Sequence, residues 1–128
     1  MADREYRDDP SIADGTELWR RIPPLYICYD ENRGVWRPES WAFSDDEDGD
    51  PMSAFIAAEC GGVDVLLQGH ADYGVAAFTA GFAREKGQVI YRRPDAPEPG
   101  HVFVQGPKTR GVMRALARTC HWAHLPPR

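Results

Sequence analysis

No apolar run in this chain goes far before a proline or glycine interrupts it, and this limits the folds open to it most. Pro23-Pro24 stops the run 18–22, Gly61-Gly62 closes the segment that starts at Met52, and three prolines crowd residues 93–100. Proline cannot donate to a ladder, and glycine turns the chain at little steric cost. Eleven prolines and twelve glycines in 128 residues therefore imply short elements and long connections, which disfavours a regular strand–helix–strand repeat.

The densest pattern lies in residues 73–105. GVAAF (74–78), QVIYR (88–92) and HVFVQ (101–105) read as strands. Thr79 caps a short helix to Lys86, and Gly87 closes it. Gly81 inside that helix costs up to ~1 kcal/mol relative to alanine, so a packing reason is expected to hold it there. Residues 18–22 and 25–29 are further strands, and the double proline between them excludes a tight hairpin. Residues 30–34, DENRG, form a turn. Arg37 precedes Pro38 and is pushed extended, and Trp36, Trp41 and Phe43 call for cover at the core edge.

Asp50-Pro51 looks like a helix start, and Met52, Phe55, Ile56, Glu59 and Cys60 follow helical spacing. The spacing predicts a helix over 52–60, with a strand over 52–57 as the alternative. Residues 64–68 allow a single helical turn. Residues 109–120 are the strongest helix, with Val112, Met113, Leu116 and Cys120 on one stripe and Arg110, Arg114 and Arg118 roughly opposite. The tail HWAHLPPR places its histidines near a frayed end. The expected fold is α+β: a small, mainly antiparallel sheet with two or three helices, one domain over 16–128, behind a mobile acidic arm of residues 1–15.

The formal net charge of −5 argues against an unspecific nucleic-acid or membrane-surface binder. Cys28, Cys60 and Cys120 are odd in number and widely spaced, which points to a reducing compartment. The first residues lack the apolar core of a signal peptide, and no stretch of 18 apolar residues occurs. The expected location is cytoplasmic, and no cofactor is implied.

The acidic loop SDDEDGD (44–50) offers Ser44, Asp46 and Asp48 ahead of Gly49 in calcium-loop order, but Phe55 stands where the bidentate glutamate belongs. Asp45, Asp46 and Asp48 read instead as a solvated loop or a docking patch for a basic partner. Cys120, His121 and His124 are a weak metal alternative, because no second ligand pair accompanies them and Cys28, Cys60, His70 and His101 are scattered. Gly106-Pro107-Lys108-Thr109 lacks the glycines of a phosphate loop, which leaves Lys108 and Thr109 as a possible anion site at a helix start. Arg110, Arg114 and Arg118 form an interaction face or a solvated one. Arg20, Ser53, Glu59 and His101 are weak catalytic candidates, and Arg37 and Ser40 would join them if the fold made one pocket.

At LWRRIPP, RPESWAF, GDPMSAF, GVAAFTAGFAREKGQ and PGHVFVQGPKT the chain resembles a set of small bacterial single-domain proteins with no assigned chemistry. The order of arginine-bearing strand, serine-containing segment and apolar run is also similar to small toxin domains of the ADP-ribosyltransferase type, which implies a catalytic glutamate, and Glu59 is the residue in place for it. Two functions are expected. The first is a small cytosolic protein-interaction or regulatory accessory module, of adaptor or immunity type, whose partner is another protein and which touches neither membrane nor nucleic acid. The second is a small enzyme or nucleotide or anion binder built from Arg20, Arg37, Ser40, Ser53, Glu59 and His101.

Overall fold

Leu18 and Ile22 are fully buried on one side of an extended run while Trp19 and Arg21 take the other side, as the twofold alternation of a strand requires. This run is β1, Glu17–Ile22. In the computed structural model, which describes residues 7–127 apart from Glu47, β1 lies inside a six-stranded sheet. The other strands are β4 (Met52–Ile56), β5 (Gly74–Thr79), β6 (Val89–Arg92), β7 (His101–Gln105) and β8 (His121–His124). Their order is β6-β7-β4-β1-β5-β8, every neighbouring pair antiparallel. A separate hairpin joins β2 (Ile27–Asp30) to β3 (Val35–Pro38) across the predicted turn. The helices are α1 (Val63–Leu66), α2 (Ala80–Glu85) and α3 (Arg110–Thr119), and short 3-10 turns occupy Pro24–Tyr26 and Ser40–Phe43. The architecture is α+β, as its pattern implies. Among the described residues no helix is long and apolar enough to cross a membrane.

The core has two parts. The larger gathers Leu18, Met52, Ile90 and Val104 from the sheet with Phe43 from the 3-10 turn and Met113 and Leu116 from α3. The smaller puts Phe55 and Val75 under Cys60 and Leu66. Trp36 and Trp41 remain exposed, and of that aromatic group only Phe43 is wholly covered.

The helix expected over residues 52–60 is a strand. β4 is an inner strand between β1 and β7, and both its faces are covered: Met52, Ala54 and Ile56 enter the larger core beside Phe43 and α3, and Phe55 the smaller beside Leu66. An apolar run buried on two faces carries no alternation to set it apart from a helix. Asp50 caps nothing there, because the Met52 N–H donates to Asp45 Oδ1 at 3.1 Å. The tail is likewise not frayed, since residues 121–124 pair with β5 as an edge strand.

Other expectations hold in detail. Thr79 Oγ1 accepts from Phe82 N–H and Thr109 Oγ1 from Val112 N–H, so both helices carry the caps read from sequence. Gly81 has its packing reason: a Cβ there would stand 3.0 Å from the carbonyl oxygen of Asp14. Of the segment read as a mobile arm, residues 1–6 lie outside the described residues and the rest is seated. Asp8 Oδ1 accepts from the Ile90 N–H, the Asp9 N–H donates to Ile90 O, and Ile12 is buried in the larger core. Arg84 on α2 clamps this stretch with ion pairs to Asp8 at 3.0 Å and Asp14 at 2.7 Å.

Candidate functional site

The 10-residue helix α3 packs against the Ser40–Phe43 turn through Met113, Leu116 and Ala117. That stripe points inward, which turns Arg110, Arg114 and Arg118 outward beside the β2–β3 hairpin. A groove results between helix and hairpin. Its first cavity, about 370 Å³, is lined by Arg37, Ser40, Trp41, Glu39, Arg110 and Arg114. The next, about 440 Å³, shares Arg37, Ser40 and Arg114 and adds Arg33, Arg118 and Asp30. A third of about 210 Å³ continues past Arg118 to Trp36 and Trp122.

Most of the arginines in this groove carry no ion pair. Arg37 Nε donates to Asp30 Oδ2 at 3.2 Å. Among the described residues, no carboxylate lies within 4 Å of Arg33, Arg110, Arg114 or Arg118, although acids outnumber bases 20 to 15. Asp30 is otherwise occupied by the turn, accepting from the Asn32 and Arg33 N–H groups. Trp41 is 57% exposed and Trp36 40%, so two indole rings stand at the rim of a cationic groove. The Trp122 Nε1–H donates to Trp36 O at 2.9 Å and ties the hairpin to β8.

The remaining predicted site residues lie elsewhere. Arg20 is sealed in the fold: its Nε donates to Ala42 O at 2.6 Å, Nη1 to Ser53 O at 2.6 Å and Nη2 to Ser44 O at 3.2 Å. Burial pulls its pKa down, and Asp46, 3.7 Å away, opposes that. Lys108 is equally engaged, donating to Val104 O at 2.8 Å and pairing with Asp45 at 3.0 Å, and burial lowers its pKa too. The possible anion site at Lys108 and Thr109 is thus closed, because the lysine is spent on the loop and the threonine oxygen on its cap. Asp45 and Asp46 are each paired to one of these two bases, and Asp48 accepts from the Asp50 N–H within the loop. The acidic loop is a fastened element in which Asp45 and Asp48 stay exposed.

Glu59 makes a two-pronged ion pair with Arg92, at 2.6 and 2.9 Å, which holds its carboxyl below the usual range. His101 is buried, stacked on Phe55 at 4.7 Å, with Nδ1 3.4 Å from Glu98 Oε2 and no partner at Nε2 among the described residues. Desolvation lowers its pKa, so it is neutral at pH 7. The pocket imagined from Arg20, Arg37, Ser40, Ser53, Glu59 and His101 does not assemble: Arg37 and Ser40 share the groove, Glu59 lines another hollow, and the others are bound into the fold. Burial pushes the Cys120 thiol up to about 11, and His121 and His124 lie along β8. Among the described residues no three His, Cys, Asp or Glu side chains gather as a metal site would need. A broad hollow over α2 is shallow, and its arginine, Arg84, is already paired.

Sequence reasoning found Arg37, Ser40 and the arginine stripe but not their meeting. It missed Arg33, Trp36 and Trp41 as members of the same surface. The alternation of arginine with tryptophan in residues 33–41 was the available signal. No protein-family model, curated protein or solved structure matches the chain.

Proposed function

We propose that this protein is a small cytosolic interaction module whose groove between α3 and the β2–β3 hairpin engages an acidic segment of a partner protein. The observation that carries this reading is the set of unpaired arginines, Arg33, Arg110, Arg114 and Arg118, lining adjoining cavities in a chain rich in acids. An arginine left without a counter-ion beside a solvated cleft is available for a carboxylate, which its planar fork binds through two parallel hydrogen bonds. Exposed tryptophans at the rim supply the other residue type that dominates protein interfaces. The acidic loop is an internal fastening in this reading, and regulation follows from which partner the groove holds.

Titration of the intact protein with poly-L-glutamate, followed by amide resonances, tests it. Shifts should concentrate on α3 and on residues 33–41, and should shrink as salt rises. Arg114→Glu should weaken binding at least about tenfold, which corresponds to roughly 1.4 kcal/mol. Absent shifts, or shifts centred on another face, would overturn the reading.

A further inference from the structure

The geometry points to an extended acidic segment, with carboxylates at every second position, as the occupant of the groove. This rests on the groove being the interaction site and specifies what it selects. Arg110, Arg114 and Arg118 are each one i,i+4 step apart, and a helix rises 1.5 Å per residue, so successive guanidinium stems stand about 6 Å apart along the axis. They line the adjoining cavities in turn. An extended chain advances 3.2–3.4 Å per residue and sends alternate side chains to one side, so its same-side groups are about 6.5 Å apart. Alternate carboxylates therefore meet successive arginines over three positions with little slippage. A block of consecutive acids presents only half its charges to that row.

The opposite wall argues for the same occupant. It carries Arg33 and Arg37 together with Asp30 and Glu39, and Arg37 is already paired to Asp30, so side chains turned that way meet no net positive charge. Trp36 and Trp41 offer apolar faces to the intervening side chains, which favours uncharged residues between the acids. A nucleic-acid strand carries a charge at every unit and brings phosphates against Asp30 and Glu39 in the lining, which an alternating peptide faces with uncharged side chains.

Three fluorescent probes offered to the intact protein decide the matter: a peptide alternating glutamate with threonine, one of equal composition with its glutamates in a block, and oligothymidylate. The alternating peptide should bind at least about fivefold tighter than the block, a difference of roughly 1 kcal/mol, and Arg114→Glu should erase the preference. Arg114 is exposed, and circular dichroism checks that the variant folds. Equal binding of the two peptides overturns the spacing inference while the interaction reading stands. Tightest binding of oligothymidylate overturns it in favour of nucleic acid. No binding by either peptide, with no effect of Arg114→Glu, removes both readings.

Discussion

Arg20 and Arg114 have the same side chain and opposite fates. Arg20 sits on a central strand, and its guanidinium donates to three part-buried carbonyls, those of Ala42, Ser44 and Ser53. Removing a charge partner from the interior strands the groups it served, which costs about 3–5 kcal/mol. Arg20→Met should therefore lower the unfolding free energy by an amount of that order and release the acidic loop, whereas Arg114→Met on the exposed face should leave it, and the denaturant midpoint, nearly unchanged. Equal midpoints for the two variants in chemical denaturation would contradict the assignment. Neither fate was legible at the residue level, because LWRRI and the arginine stripe give no sign of which guanidinium meets carbonyls and which meets water.

At the scale of elements, caps and breaks were legible and cover was not. Thr79 and Thr109 cap their helices because a hydroxyl two or three residues ahead of free N–H groups satisfies them wherever the rest of the chain lies. β4 was misread because its two faces are buried by residues from other parts of the sequence, Phe43 and α3 in the larger core and Leu66 in the smaller. β8 was missed because an edge strand reading His-Trp-Ala-His, with no apolar alternation, forms only when β5 is there to pair with it. Gly81 joins the two levels. Helix propensity favours alanine there by up to ~1 kcal/mol, yet a Cβ would press on the backbone oxygen of Asp14 and unseat residues 8–14. Gly81→Ala should thus destabilise the protein despite its propensity, with faster amide exchange in β6, where Asp8 and Asp9 dock. Stabilisation by Gly81→Ala would show that the segment yields freely.

For the whole molecule, acid sensitivity follows from His101. Burial holds its pKa below the ordinary 6.5, so as pH falls the unfolded chain takes up the proton before the folded one does. The stability tied to its neutral form is present above about pH 6.5 and is lost as pH falls from there through the folded pKa. His101→Phe keeps the stack on Phe55 and has no proton to gain, so its thermal midpoint should fall less than the wild type's between about pH 7.5 and 5.5. Parallel curves for the two proteins would refute this.

The sequence by itself determined the α+β class, the short elements, the turn at 30–34 and the caps, because these rest on backbone geometry and on neighbours within a few residues. Only the tertiary structure decided which charges are spent and which are free. Lys108, Asp45, Asp46 and Arg20 lie up to tens of residues apart, and they consume one another when the loop folds back beside the inner strands. Arg33 and Arg37 reach Arg110, Arg114 and Arg118 only because the hairpin and α3 pack on either side of the Ser40–Phe43 turn. A local pattern can place a charge on an exposed stripe. Whether a counter-ion waits there depends on segments that only the folded chain brings within a few ångströms.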